Sequence, residues 1–332
     1  MTNFRVQNLD PGRVRVRLTC EGGRVSAIQV SSERPDVARL LRGRAADQAM
    51  QVIPSLFALC GEAQTRAAAL ALAAARGEGC PVQMDSAVQR EALREHLWRC
   101  LLDLPILLGE AALHREFVSA VKCVTDGKRG DLRALLASPP VGALCEMLRQ
   151  GGGPPSSAPH VLPPLDAKNS LAEWPRLSAE FCRRPNWRGK AAETGAIARQ
   201  MSVVHQAPTG EEPVTLLSTR WLARFDELLD WTTGNLRAGA IGTVSAAPVA
   251  PGVGRAIVET ARGMLMHEIE LHGDRIADYM IAAPTEWNCH PQGAMADHLL
   301  GQDAVDRDAL RRHVTKTVAA LDPCVPFELE WA

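Results

Sequence analysis

The sequence predicts a mixed α+β fold that is predominantly helical. Three observations predict it. Near the start, Val14, Val16 and Leu18 alternate with Arg13, Arg15 and Arg17, and Val25, Ala27, Ile28 and Val30 follow a Glu21-Gly22-Gly23 turn, which is a β-hairpin over residues 13–30. Far downstream, His267–Leu271 and Arg275–Ile281 alternate again around His272-Gly273-Asp274, a second hairpin. Between them, apolar residues recur at helical spacing, as in Leu93, Leu97, Leu101 and Leu104.

Taken in order, residues 34–76 read as helical, with a break at Pro54, which lacks the donor N–H. The following helix begins near Cys60-Gly61-Glu62 and runs to about Ala75. That puts Cys60 at a helix N-terminus, where the dipole and free N–H groups lower a thiol's pKa. Residues 85–150 read as a run of amphipathic helices, in which His96 and His114 are structural residues. Residues 151–164 are dominated by Gly, Pro and Ser and read as an irregular connection within a single domain, 1–332. Residues 170–205 suggest short helices and turns, and Ser218 to Arg237 a helix with Leu222, Phe225, Leu228 and Leu229 inward. At the end, Phe327, Leu329 and Trp331 are apolar at a spacing of two. A terminus frays unless something ties it down, and this one suits a tail laid into a groove, which places Cys324 inside the protein.

Composition excludes several classes. A net charge of −1 with 23% charged residues points to neither nucleic acid nor an acidic membrane surface. The nine cysteines are scattered and never form a C-x-x-C pair, so a reducing cytosol is the expected compartment. The start of the chain lacks the apolar core of a signal peptide. The longest apolar run, Ala67 to Ala75, is too short to span a bilayer. His267 and His272 are no zinc-protease pair: the spacing is one residue too long, and on a strand they face opposite ways. Cys289-His290 reads as structural, because neighbouring residues rarely ligate one ion together.

Two stretches carry a resemblance. Asp322-Pro323-Cys324, with Phe327 and Glu330 beyond it, resembles a degenerate Asp-Pro-Cys-x-x-Cys-x-x-His motif. Phe57-Ala58-Leu59-Cys60, followed by Gln64, resembles a degenerate Cys-Gly-x-Cys motif with a His four residues on. These are the metal-holding motifs of nickel–iron hydrogenase large subunits. Glu259-x-x-Arg262-Gly263 and Pro284-Thr285-Glu286-Trp287-Asn288 follow the order of a further pattern of that family. The survival of two of four thiolates is similar to the HupK/HoxV-type hydrogenase maturation proteins.

The resemblance implies a hydrogenase-large-subunit-like fold, with a central bundle of long helices and small sheets near both ends of the chain. It implies Cys60 and Cys324 as metal ligands, Arg262 and Thr285 as groups facing the cyanides of an iron centre, and Asp322 as a group that holds those donors in place. The cargo implied is iron with two cyanides and one carbonyl, Fe(CN)2CO, held transiently and without nickel. The partners implied are HypC/HypD-type maturation proteins and the hydrogenase large subunit. Phe57 and Phe327 stand where nickel thiolates would be, and the proton-passing Glu before the first hairpin is missing at Asp10-Pro11-Gly12-Arg13, so the protein is expected not to be an enzyme. Glu330 stands where the family has its last His, two residues before the end, which leaves nothing for a maturation protease to remove. Cys60 matches a position that bridges nickel and iron, Cys324 one that binds nickel alone. A metal-free structural relative and, more remotely, an active redox enzyme are the alternatives.

Overall fold

A computed structural model describes residues 10–57, 59–150, 159–165, 171, 174–204, 216–237 and 239–332. The first hairpin forms as the alternation requires, with β1 (Val14–Glu21) antiparallel to β2 (Arg24–Ser32). A 3-10 turn (Val37–Leu41) leads to α1 (Ala46–Leu56). Pro54 does not break α1. It sits in the last turn, and the helix runs two residues past it before Phe57 turns extended, although proline has no N–H to donate there. Next, α2 (Gly61–Ala75) follows with Cys60 as its N-cap. After β3 (Cys80–Met84), the Asp85 carboxylate accepts from the amides of Ala87 and Val88 and starts α3 (Ser86–Trp98). A π-helical turn (Arg99–Asp103) joins it to α4 (Leu104–Leu108), and α5 (His114–Thr125), α6 (Arg129–Leu136) and α7 (Pro139–Gln150) complete the expected helical run. The expected irregular connection falls partly outside the described residues; within them Val161 makes an isolated bridge to Glu193.

Two short helices, α8 (Ala179–Arg183) and α9 (Ala196–Val204), precede α10 (Leu216–Thr233). Four antiparallel strands follow: β4 (Thr243–Ala250), β5 (Val253–Thr260), β6 (Gly263–His272) and β7 (Arg275–Ala282). The chain closes with α11 (Pro284–Asn288), α12 (Ala294–Leu299), α13 (Arg307–Leu321) and β8 (Phe327–Trp331).

The strands make two sheets among the described residues. The first has the order β2-β1-β8, and β8 runs parallel to β1 from Val14–Phe327 to Leu18–Trp331. The tail is therefore a strand rather than a segment laid in a groove. The arginines of the first alternation explain the register, since Arg15 and Arg17 pair with Glu330 and Arg13 and Arg15 with Glu328. The second sheet has the order β3-β4-β5-β6-β7 and is larger than the hairpin read from the sequence. Its β5 is buried along its whole length, so no polar alternation betrays it.

The alanine run has its explanation here. Ala63, Ala67, Ala71 and Ala74 pack α2 against Ala256, Val258, Leu265 and Ile269 of the second sheet. The approach is so close that a Cβ on Gly254 would lie 2.1 Å from both the Ala71 carbonyl oxygen and the Ala75 nitrogen. The other face of that sheet, with Ile257, Met264 and Met266, meets Trp174 and Trp287. A helical layer of α3, the π turn, α5, α6 and α7 gathers around α10, and all four leucines of the 93–104 stripe are buried in it. Phe225 and Leu228 face this core, but Leu229 is 40% exposed, because the buried stripe runs through Trp221, Phe225 and Leu228, and Leu229 lies one residue, roughly 100°, further round the helix.

Candidate functional site

Cys60 lies where the sequence places it, yet its environment is the reverse of the one expected. The first amides of α2 are occupied by another residue: the Glu91 carboxylate accepts from Glu62 at 2.8 Å and from Ala63 at 3.0 Å. Cys60 makes no capping bond of its own. Burial pushes its thiol up to about 12, the nearby Cys324 sulfur adds to the rise, and Arg262 and a Gln64 amide only partly oppose it. Desolvation thus outweighs the helix dipole.

The second thiol is delivered by the end of α13. Asp322 closes that helix in the left-handed region at φ 52°, its amide donating to the Val318 carbonyl at 2.9 Å. Pro323 follows, and Cys324 comes to rest on α11. The Thr285 hydroxyl accepts from the Cys324 amide and donates to its sulfur, both at 3.2 Å. The Asp322 side chain is 3% exposed and turns toward Arg99 (Nε to Oδ1, 2.8 Å) and Arg262 (3.4 Å). Burial alone would raise this carboxyl. Arg262, Arg99 and Arg224 overcome that and hold it below the usual carboxylate range.

Arg262 is no surface charge. It occupies the turn between β5 and β6, where Gly263 takes φ 128° and a Cβ would strike Thr194 at 2.3 Å. Asn288 secures that turn, donating to the Arg262 carbonyl at 3.1 Å and to the Leu321 carbonyl at 3.5 Å while accepting from the Thr194 amide at 2.9 Å. Arg262, Gly263 and Asn288 of the spaced pattern are therefore one physical unit that ties the β5–β6 turn to the end of α13, whereas Glu259 pairs with Arg199 at 2.8 Å. Arg262 Nη2 also donates to Glu95 at 2.9 Å. Despite its burial it is held more firmly protonated than a free arginine, by Asp322, Glu95 and the two thiols. Cys60, Arg262, Thr285, Asp322 and Cys324 thus converge. A cleft of about 390 Å³, lined among others by Trp98, Arg262, Asp322, Cys324 and Phe327, opens beside them. His267 and His272 separate as read, the first fully buried and the second exposed.

Comparison with known proteins agrees with this arrangement. The hydrogenase expression/formation protein HoxV of Cupriavidus necator is 32% identical over 95% of both chains. The chain belongs to the HoxV/HupK family of hydrogenase expression/formation proteins. HupK of Azotobacter vinelandii is 29% identical over 96% of this chain and 98% of its own. Residues 214–326 match the nickel-dependent hydrogenase family. The fold is that of a hydrogenase large subunit: the reduced, active nickel–iron–selenium hydrogenase of Desulfomicrobium baculatum superposes with a TM-score of 0.57 at 13% identity, covering 92% of this chain and 95% of that one.

This HoxV/HupK protein also brings to the site residues that its sequence did not single out. Arg34 donates to both oxygens of Glu286 at 3.0 Å, and its charge bears on both Cys324 and Cys60. Arg99 arrives through the π turn, a local widening that often marks functional positions. Glu95 reaches in from the same helix end. Phe57 packs against the core beneath α2, and Phe327 against that beneath β1. Among the described residues, no group of three or more His, Cys, Asp or Glu side chains is arranged to hold a metal ion. No helix there is long and apolar enough to cross a membrane.

Proposed function

We propose that this protein is a non-catalytic scaffold that carries Fe(CN)2CO from HypC/HypD-type maturation proteins to a nickel–iron hydrogenase large subunit. The observation that carries the proposal is the convergence of two thiols with two largely enclosed guanidiniums: Arg262 and Arg34 each act on both Cys60 and Cys324. Low-spin iron with carbonyl and cyanide ligands is soft, and thiolates suit it. Two thiolates in a desolvated site need compensating charge, and the arginines supply it.

Cyanide accepts hydrogen bonds, and a guanidinium and a hydroxyl are donors. Arg262 is already oriented by Glu95 and Asp322. The Thr285 hydroxyl, which donates to Cys324 Sγ, would turn to a cyanide once that sulfur binds iron. With Phe57 and Phe327 at the flanking positions, two thiolates rather than four grip the fragment, which suits a carrier that must let go. A reducing cytoplasm would keep its nine cysteines free.

Metal analysis tests the proposal. Protein purified without oxygen from a host with the hydrogenase maturation machinery should contain stoichiometric iron and no nickel. Cys60→Ser and Cys324→Ser should each lose the iron while keeping the circular dichroism of the wild type. Unchanged iron in either variant would sink the two-thiolate scaffold.

A further inference from the structure

Cys60 terminates a buried polar chain that holding a metal fragment does not by itself require. Its sulfur accepts from Gln64 Nε2 at 3.7 Å. Gln64 Oε1 lies 2.9 Å from His267 Nε2, and His267 Nδ1 lies 2.8 Å from the Tyr279 hydroxyl. Cys60 and Gln64 span the first turn of α2, while His267 is on β6 and Tyr279 on β7. Tyr279 pairs with Ile269, two residues from His267, so the two rings are diagonal neighbours on the sheet face that α2 covers. Gln64, His267 and Tyr279 are each no more than 1% exposed. A core that only needed filling would carry apolar groups there, as it does at Ala67 and Ile269.

The orientation of the Gln64 carboxamide sets the direction of every hydrogen in the chain. A carboxamide has one acceptor oxygen and one donor nitrogen. With its nitrogen on Cys60, the Gln64 oxygen faces His267 and requires that Nε2 carry the hydrogen. Nδ1 is then the bare nitrogen of a neutral imidazole and takes the hydrogen of the Tyr279 hydroxyl. Every donor points toward Cys60.

We propose that Tyr279 and His267 are positioning residues that lock the Gln64 carboxamide with an N–H on the Cys60 sulfur, and that this donor loosens the hold of Cys60 on the iron fragment. The inference rests on Cys60 being a ligand of that fragment. An N–H drawn to a metal-bound thiolate takes electron density from the sulfur, so less reaches the iron and less is passed back into the carbonyl. Removing the donor reverses this: the carbonyl stretch moves to lower wavenumber and the cargo leaves more slowly.

Two near-isosteric variants test it. Gln64→Met removes the N–H and Tyr279→Phe removes only the hydroxyl. In cargo-free wild type, nitrogen-15 NMR should find His267 in the Nε2–H tautomer. In loaded protein, the carbonyl band should move to lower wavenumber in both variants, further in Q64M, with release to an acceptor slowed several-fold. An Nδ1–H tautomer, or a band unmoved in both variants, overturns the inference and leaves the scaffold reading intact. A wild type without carbonyl and cyanide bands removes both. Should Q64M fail to fold, Y279F and the tautomer decide the matter.

Discussion

The Thr285 hydroxyl and Cys324 hold each other in both directions, the oxygen taking the cysteine amide and returning its hydrogen to the cysteine sulfur, each at 3.2 Å. One hydroxyl thus fixes both the backbone and the side chain of a thiol that lies only three residues from the last strand. Thr285→Val keeps the shape and removes both bonds, leaving a partly buried amide unpaired. We expect a loss of about 1–3 kcal/mol, faster alkylation of Cys324, and lower iron retention. Thr285→Ser should restore all three. Denaturant unfolding and site-resolved mass spectrometry read the outcome, and alkylation unchanged in T285V would contradict the role given to the hydroxyl.

Asp322 neutralises the guanidiniums behind the site, and Asn at that position isolates its charge, since Asn tolerates the left-handed backbone that Asp322 adopts. Removing one partner of a buried ion cluster costs about 3–5 kcal/mol, and D322N should show that loss at neutral pH. The carboxyl is depressed in the native protein. Its stabilising contribution is therefore complete above the unfolded value of about 4 and disappears as pH falls through the lower native value. Wild type and D322N should converge in stability on acidification. A constant gap down to the acid transition would rule out a charge effect.

Buried histidines give a second pH dependence. His267 is pushed down to about 3 by burial, and burial also lowers His96 despite its 2.7 Å contact with Glu227. Below about pH 6.5 the unfolded chain binds protons that the native chain refuses, so stability falls as pH falls. Each such histidine contributes up to about 1.4 kcal/mol per pH unit. The urea midpoint should drop between about pH 7.5 and about pH 5.5. A midpoint that stays level or rises would mean these rings titrate normally in the native state.

Gly254 and Gly142 make a matched pair. A Cβ at Gly254 would collide with the backbone of α2, whereas one at Gly142 in α7 meets nothing within 4 Å. Gly254→Ala should destabilise by about 3 kcal/mol or more, as overpacking against backbone does. Gly142→Ala should be neutral or stabilising by up to about 1 kcal/mol. Thermal unfolding of the two variants separates the cases; equal melting temperatures would refute the close approach of α2 to β5.

The first hairpin was legible because one of its faces is wetter, the second because its turn at His272-Gly273-Asp274 and the outer strand β7 are partly exposed, and α2 because an alanine run fills it. The strands β4 and β5 were not, since β5 is enclosed throughout and β4 carries Pro248. The sequence singled out Cys60, Arg262, Thr285, Asp322 and Cys324, and the structure places them near one another. It misjudged the Cys60 thiol, because the fold buries that sulfur and because the carboxylate that takes the α2 amides comes from Glu91, a full helix away. Arg34, Glu95 and Arg99 were silent for a similar reason: each is an ordinary charge in its own segment and acquires a role only through a tertiary partner.

The central claim is that the paired thiols carry iron bearing cyanide and carbonyl. Infrared spectroscopy tests it most directly, on protein purified without oxygen from a host that matures its own hydrogenase. Metal-bound carbonyl and cyanide stretch in a window where protein is nearly silent. The account predicts one carbonyl and two cyanide bands in the wild type, with iron and without nickel, and their loss in C60A and C324A. An empty window in the wild type, from a host whose hydrogenase is demonstrably active, would contradict it.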